Sequence, residues 1–257
     1  MPRLTKLSRS VAGKVVIVTG AGSGMGRATA QVFADEGAHV AVTDVKGAQE
    51  VADQIVAAGG TARAWSLDVA NDEDVARVVG EIAAHYGGID VLVNNAGISV
   101  RLPIDDPDYL ARWNRGIDVL LTGQVRMIRA ALPWLRKSAS ARIVNIASTE
   151  GLGATALHSP YTAAKHGVIG LTRSLALELG PEGITVNCIC PGPINTAMTA
   201  RVDPKDKETY ARRRTALRRY GDPEEVAQMT VSLCLPAASF LTGATIPVDG
   251  GLTIRRA

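Results

Sequence analysis

A tyrosine and a lysine one helical turn apart indicate acid/base chemistry in this chain. Tyr161 and Lys165 lie in the segment Ser-Pro-Tyr-Thr-Ala-Ala-Lys-His, and Ser148 precedes the tyrosine by 13 residues. Side chains at positions i and i+4 project from one face of a helix, so the lysine ammonium is expected near the phenol. A nearby positive charge lowers the pKa of a phenol from its usual value of about 10, which makes it a usable general base. We therefore predict a catalytic site built on Ser148, Tyr161 and Lys165.

A glycine-rich turn near the start of the chain predicts a phosphate-binding site. Segment 19–26 reads Thr-Gly-Ala-Gly-Ser-Gly-Met-Gly and lies between an apolar run and a helix-compatible run. Glycines let the backbone turn tightly, and the free N–H groups at a helix start attract a pyrophosphate. Asp44, about 20 residues further on, can accept hydrogen bonds from an adenosine ribose diol and would repel a 2′-phosphate. Asp44 therefore favours NAD over NADP, whereas Lys46 is a mild signal in the opposite direction.

Short apolar runs alternate with longer helix-compatible runs along the chain. Strands are predicted at 15–19, 39–43, 62–67, 89–94, 142–147, 184–189 and 244–248, and helices at 27–36, 48–58, 72–86, 109–136, 161–179 and 223–235. This alternation predicts an α/β fold: a single-domain, Rossmann-like, doubly wound sheet of seven parallel strands flanked by helices. Residues 1–12 would form a basic N-terminal extension to a catalytic domain at 13–257. The irregular segment 193–222 is predicted to be a lid or substrate loop.

Composition argues against several classes of function. The 257 residues include 28 basic and 25 acidic side chains, and a net charge of +3 is too balanced to imply a nucleic-acid partner. No apolar run has the length of a signal peptide's core or a membrane span, so we expect a cytoplasmic protein. Cys188, Cys190 and Cys234 have neither a disulfide nor a zinc-ligand spacing, and we expect buried thiols and no metal.

Several ordered motifs together resemble the short-chain dehydrogenase/reductase family. They are the glycine turn, the Asn-Asn-Ala-Gly element at 94–97, the Ser148, Tyr161 and Lys165 set, and Pro191-Gly192, and the resemblance spans most of the chain. It implies that Tyr161 is the acid/base, that Ser148 binds the substrate oxygen, and that Lys165 tunes the tyrosine and holds the nicotinamide ribose. The dinucleotide contacts it implies are Gly20, Ser23, Gly24, Met25, Gly26, Asp44, Asp68, Val69, Asn95, Tyr161, Lys165, Pro191, Ile194 and Thr196.

One position departs from the family pattern. Many relatives carry a catalytic asparagine in a Val-Asn-Leu-x-Gly element, and the aligned segment 119–123 here reads Val-Leu-Leu-Thr-Gly, which places Leu120 at that position. In the family the asparagine is thought to disrupt its helix so that a backbone carbonyl holds a relay water behind the lysine. Leu120 has no side-chain amide, and we expect it to favour an unbroken helix and a weaker relay.

Other polar residues near the predicted site leave alternatives open. Glu150 and His158 flank Ser148 and Tyr161 and either bind a hydroxylated substrate or satisfy nearby backbone groups. Arginines at 212, 213, 214, 218 and 219 invite an anionic ligand, but spacing spreads them around a helix, which favours a solvated face paired with nearby carboxylates.

The leading functional hypothesis is NAD-dependent interconversion of a secondary alcohol and a ketone on a small or medium, cyclic or hydroxylated molecule. One alternative is an NADPH-dependent 3-oxoacyl-thioester reductase, which Asp44 disfavours. Another is a dinucleotide-binding sensor or scaffold with weakened catalysis, which Leu120 alone supports. We expect no nucleic-acid or membrane partner, and the resemblance implies a homotetramer.

Overall fold

The computed structural model describes residues 4–255, in which seven parallel strands form one sheet. The strands are β1 (Val15–Thr19), β2 (His39–Asp44), β3 (Thr61–Ser66), β4 (Val91–Asn94), β5 (Arg142–Ile146), β6 (Thr185–Pro191) and β7 (Thr245–Val248). Their order in the sheet is β3-β2-β1-β4-β5-β6-β7. Because successive strands are added in opposite directions on either side of β1, the carboxyl ends of β1 and β4 open a crevice. The predicted α/β, Rossmann-like fold is confirmed.

Helices cover both faces of the sheet. Eight α-helices lie within residues 4–255: α1 (Gly24–Asp35), α2 (Ala48–Ala57), α3 (Asp72–Tyr86), α4 (Tyr109–Ile117), α5 (Gly123–Leu135), α6 (Ser159–Leu179), α7 (Pro204–Arg214) and α8 (Pro223–Cys234). Helices α1, α2 and α8 pack on one face, and α3, α5 and α6 pack on the other. Every residue of β1, β4 and β5 is buried, which explains why these strands are mostly apolar.

The predicted lid contains a helix that the sequence analysis missed. Its 11-residue helix α7 has only Ala211 buried, so no apolar stripe marks it in the sequence. The side chain of Asp203 caps the helix by accepting a hydrogen bond from the Lys205 N–H at 2.8 Å. A β-bridge between Ile194 and Gly221 joins the two ends of the lid. The lid is therefore partly helical, and its two ends are hydrogen-bonded to each other. It is not irregular throughout.

The long helix predicted at 109–136 is interrupted in its middle. A π-helical turn, Asp118–Thr122, separates α4 from α5, and the Gly123 N–H bonds to the Asp118 carbonyl five residues earlier. The Arg126 guanidinium donates to Asp118 Oδ1 at 2.7 Å and stabilises this turn from the next turn of helix. The expectation that Leu120 favours an unbroken helix is therefore wrong. Contacts from neighbouring side chains, rather than an asparagine, accompany the wider turn.

Part of the predicted N-terminal extension packs against the domain. Val11 is fully buried, and the Ser8 carbonyl accepts a hydrogen bond from the Ala237 N–H at 2.9 Å. Residues 1–3 of the extension and residues 256–257 of the domain lie outside the described part. Cys188, Cys190 and Cys234 are buried free thiols, as predicted.

Residues 4–255 contain neither a membrane-spanning helix nor a cluster of metal ligands. No helix there combines the length and the apolar character of a bilayer span. Nor do three or more His, Cys, Asp or Glu side chains come together there in a way that could hold a metal ion.

Candidate active site

A cleft opens at the carboxyl ends of β1, β2, β4 and β5, where the topology of the sheet predicts a ligand site. Its cavity volume is about 310 Å³. Its lining includes Gly20, Ser23, Gly24, Met25, Asp44, Asp68, Val69, Asn95, Tyr161, Lys165 and Thr196. Most of the residues predicted to bind a dinucleotide therefore meet in one place.

The glycine turn at one wall of this cleft leaves no room for side chains. A Cβ at Gly26 would lie 2.1 Å from the Gly20 carbonyl oxygen, and Gly24 has a positive φ of 53°. Ser23 precedes α1 in an extended conformation, and its side chain makes no capping hydrogen bond to the helix. The N–H groups of the first turn of α1 are therefore free to bind an anion, and the turn fits the pyrophosphate of a dinucleotide.

Asp44 is held in a fixed orientation at the far end of the cleft. Its Oδ2 accepts the Gly22 N–H at 2.9 Å, and its Oδ1 accepts the Lys46 N–H at 3.2 Å. A carboxylate has about four lone-pair sites, so these two bonds leave acceptor capacity for a ribose diol. Lys46 itself is exposed and does not line the cleft.

Some residues predicted to contact the dinucleotide lie behind the wall of the cleft, where they support it but do not line it. Gly26 lies behind the turn, Pro191 is buried in β6, and Ile194 is only 6 % exposed in the core. The Asn95 amide lines the cleft and also donates to the carbonyls of Thr19 and Gly20 at 3.0 and 3.1 Å. Asn95 therefore ties the Asn-Asn-Ala-Gly element to the glycine turn.

Tyr161 and Lys165 line the cleft from the first turns of α6, and Ser148, which follows β5, lies beside Tyr161 without lining the cleft itself. Ser148 is close enough to the Tyr161 phenol to lower its pKa. The Lys165 ammonium lies 5.5 Å from the centre of the Tyr161 ring. The predicted proximity of these three side chains is therefore found in the fold.

The charge state of the tyrosine differs from the prediction. Burial raises the pKa of Tyr161, while its hydrogen bond to Ser148 acts in the opposite direction and the Glu150 carboxylate raises the pKa further. Lys165 is only 3 % exposed, and burial lowers its pKa to about 8. Its Nζ donates to the Ile146 carbonyl at 2.7 Å. Desolvation is thus the largest influence on the Tyr161 pKa, and the predicted lowering of that pKa is not found in this structure.

Glu150 holds the loop between Ser148 and Tyr161. Its carboxylate accepts hydrogen bonds from the Thr155 N–H at 3.0 Å, the Thr155 hydroxyl at 2.5 Å and the Thr162 hydroxyl at 2.9 Å. These bonds fasten the loop to the start of α6. The His158 ring lies 6.3 Å from the Tyr161 ring in a T-shaped arrangement. Neither Glu150 nor His158 lines the cleft, so the structure favours the local alternative for Glu150.

Replacing Glu150 with glutamine is expected to lower kcat/KM by about tenfold, because an amide nitrogen cannot accept a threonine hydrogen bond. Charge-assisted hydrogen bonds contribute about 1.5–3 kcal/mol each, so the loop beside Tyr161 should loosen. Steady-state kinetics together with limited proteolysis of the loop would measure the effect. Glu208→Gln, in the exposed ion pair with Arg212, is the matched control. A wild-type value of kcat/KM in E150Q would contradict the proposal that Glu150 holds the loop between Ser148 and Tyr161 in place.

Two arginines of the lid already have carboxylate partners. Arg219 makes a bidentate pair with Glu225 at 2.6 and 2.7 Å, which lowers the pKa of Glu225 to about 2. Arg212 pairs with Glu208 at 2.7 Å. These pairs support the solvated-face interpretation of the cluster over an anion site.

Several lining residues were not found by sequence reasoning. Arg115, from α4, lies beside Asp68 at 3.5 Å, and Val119 and Leu120 enter the cleft from the π-turn. Ala197 and Met198 reach it from the lid. The only signal for these residues is their nearness to known motifs, because the distances that matter are set by the packing of α4 and the lid.

Comparisons with known proteins agree with this architecture. A family model described as Enoyl-(Acyl carrier protein) reductase matches residues 20–253. The chain is 38% identical over 248 residues to 2,5-dichloro-2,5-cyclohexadiene-1,4-diol dehydrogenase from Sphingobium indicum, covering 95% of this chain and 98% of that protein. It is 39% identical over 251 residues to the 3-oxoacyl-[acyl-carrier-protein] reductase FabG of Thermotoga maritima, covering 94% and 98% of the two chains.

A solved structure has the same fold as this chain. A protein from Beutenbergia cavernae, provisionally described as an NAD(P) dependent gluconate 5-dehydrogenase and containing NADP at low occupancy, superposes with a TM-score of 0.90. It is 39% identical, and the match covers 96% of this chain and 99% of that one. The chain therefore belongs to the short-chain dehydrogenase/reductase family. It is an oxidoreductase of CH–OH groups that uses a nicotinamide dinucleotide.

Proposed function

We propose that this protein interconverts a secondary alcohol and a ketone on a small, cyclic or hydroxylated molecule, with NAD(H) as the cofactor. The observation that carries the proposal is the arrangement of the cleft. Asp44 lines the cleft where the adenosine ribose would bind, and Tyr161 and Lys165 line it as well, with Ser148 beside Tyr161. A single extended dinucleotide can contact all of them.

The proposed chemistry needs a base on the substrate hydroxyl while a hydride leaves the same carbon. The bound dinucleotide supplies the hydride acceptor. During reduction Tyr161 gives its phenolic proton to the substrate oxygen, and during oxidation its phenolate form, present once that proton has left, takes the proton of the substrate hydroxyl. Ser148 Oγ accepts the Glu150 N–H at 3.1 Å, and its own proton can be donated to the Tyr161 phenol oxygen or, when a substrate is bound, to the substrate oxygen. Lys165 carries a positive charge, and its ammonium loses a proton more easily than that of an exposed lysine, since its pKa is about 8.

Two observations support a small, partly apolar substrate. The residues around the open side of the cleft include Ile98, Ala197 and Met198, which would contact the carbon skeleton of a substrate. The related dehydrogenase from Sphingobium indicum is named for a cyclic diol. Cyclic secondary alcohols and diols are accordingly the first class of compound to test.

The test is a turnover screen of the purified protein against cyclic and linear secondary alcohols and their ketones. Each compound is paired with NAD(H) and NADP(H), and nicotinamide absorbance is followed. Turnover with cyclic alcohols and NAD would support the proposal. Turnover restricted to oxoacyl thioesters with NADPH would overturn it in favour of the reductase alternative, for which the similarity to FabG is the specific support.

Replacing Asp44 with alanine is expected to weaken NAD binding and to reduce the preference for NAD over NADP by about tenfold or more. The substitution removes the acceptor for the ribose diol and the charge that repels a 2′-phosphate. Dissociation constants for NADH and NADPH, measured by fluorescence titration, would quantify the change. Asp53→Ala, on the exposed face of α2, serves as the control. An unchanged ratio of the two constants would contradict the role given to Asp44.

A further inference from the structure

An arginine and an aspartate form an ion pair in the wall of the cleft. Asp68 follows the edge strand β3, and Arg115 lies in α4. The Arg115 guanidinium lies 3.5 Å from Asp68 Oδ2, and both residues line the cleft. Their side chains are 52 % and 41 % exposed, and an exposed pair of this kind adds little to the stability of a fold. The stability of the fold is therefore a weak reason for this pair, and its position in the cleft points to a ligand.

Asp68 lies next to the residue that would hold the adenosine ribose. The Leu67 N–H donates to the Asp44 carbonyl at 3.1 Å, and Asp68 is the next residue along the chain. Val45 and Val69 line the cleft together with these two carboxylates. A nucleotide base is bonded directly to its ribose, so a ribose held by Asp44 brings the base within reach of this partly apolar wall and of Asp68.

Hydrogen bonds within the chain fix Asp68 and leave one of its oxygens to Arg115. The Asp68 N–H donates to Asp74 Oδ2 at 2.8 Å, and Asp68 Oδ1 accepts the Ala70 N–H at 2.9 Å. The ion pair uses the other oxygen, Oδ2. Because a carboxylate oxygen has about two lone-pair sites, Oδ2 can accept a further donor while it stays beside the guanidinium. Adenine carries an amino donor at C6, whereas a 6-oxopurine carries an acceptor there.

We propose that Arg115 is a specificity residue for the purine of the dinucleotide, because it holds the Asp68 carboxylate where that group accepts a hydrogen bond from the adenine amino group. A 6-oxopurine would present its carbonyl oxygen to the same carboxylate, and two acceptors repel each other. With the base in place, the ion pair is shielded from water, which strengthens the attraction between guanidinium and carboxylate. The role of Arg115 goes beyond the proposed function and holds for either cofactor, since NAD and NADP carry the same adenine.

The test compares NADH with reduced nicotinamide hypoxanthine dinucleotide, which has a carbonyl oxygen in place of the adenine amino group. We expect the wild type to bind NADH about tenfold more tightly. Arg115→Met keeps the length of the side chain and removes its charge, and it should reduce this preference by about threefold to tenfold, mainly through weaker NADH binding. Fluorescence titration without substrate gives both dissociation constants. Arg112→Met, at an exposed position of the same helix, is the control.

A second variant separates an effect through Asp68 from a direct effect of the arginine charge. Asp68→Asn should itself lose the preference, and adding R115M to D68N should change it no further. Equal weakening of both dinucleotides in R115M would place Arg115 at a part that they share, such as the pyrophosphate, and would overturn the proposal. An unchanged preference in R115M would overturn it as well. Because the titrations need no turnover, a failed alcohol screen would count against the proposed function only.

Discussion

Replacing Tyr161 with phenylalanine is expected to lower kcat by about a thousandfold and to leave NADH affinity close to that of the wild type. The substitution removes one oxygen from a ring that stays in place, so it deletes the acid/base without opening a cavity. General acid/base groups contribute about 10²–10⁴-fold to rate, and the Tyr161 phenol is the titratable group that Ser148 holds at the cleft. Turnover and fluorescence titration with NADH would be measured on the same preparation.

The control for this substitution is Tyr86→Phe, which also removes a buried phenolic oxygen. Tyr86 donates to the Val40 carbonyl at 3.3 Å, away from the cleft. Its loss should change stability slightly and turnover very little. Full activity in Y161F would rule out the acid/base assignment. Loss of NADH binding in Y161F would instead indicate a role for the phenol in holding the cofactor.

Replacing Lys165 with methionine is expected to lower kcat by about 100- to 1,000-fold and to weaken NADH binding. The ammonium is the buried charge that faces the cleft beside Tyr161, and methionine fills its space without a charge or a donor. Kinetics and titration with NADH would measure both losses. Lys137→Met, on an exposed lysine that stacks on Trp134, is the control. Retained turnover in K165M would contradict the catalytic assignment.

The K165M variant should also show how much the burial of the Lys165 charge lowers the free energy of unfolding, independently of the role of the lysine in catalysis. The pKa of Lys165 is about 8 in the folded protein, compared with 10.5 for a solvent-exposed lysine in the unfolded chain. Below pH 8 both the folded and the unfolded chain hold the proton, and burial of the charge costs about 3 kcal/mol. Between pH 8 and 10.5 the folded protein loses the proton while the unfolded chain keeps it. The cost therefore shrinks as pH rises.

The expected measurement is a difference in unfolding free energy between wild type and K165M across pH. From about pH 6.5 to about pH 9.5 the wild type should gain roughly 2 kcal/mol relative to K165M. Denaturant unfolding at several pH values would show this trend. The raised pKa of Tyr161 acts in the opposite direction only at higher pH, so the comparison stops below it. A constant difference would mean that the folded lysine titrates normally.

Local patterns in the sequence determined the fold class and the main parts of the site. The alternation of apolar runs predicts the parallel sheet because strands buried on both faces are composed mostly of apolar residues. The sequence likewise predicts the glycine turn, the position of Asp44 and the proximity of Tyr161 and Lys165, since each depends on neighbours within one strand or one helix. Helix α7 escaped prediction because it buries only Ala211 and so has no apolar stripe.

Tertiary structure alone decided the features that depend on residues brought together by packing. The π-turn forms although Leu120 is a good helix former, and it is accompanied by hydrogen bonds from Gln124 to the Leu120 carbonyl and from Arg126 to the Asp118 carboxylate. Glu150 holds the loop between Ser148 and Tyr161 because the hydroxyls of Thr155 and Thr162 donate hydrogen bonds to its carboxylate. The charge state of Tyr161 follows from desolvation, and the degree of burial of a side chain is a property of the whole fold rather than of the spacing between two residues.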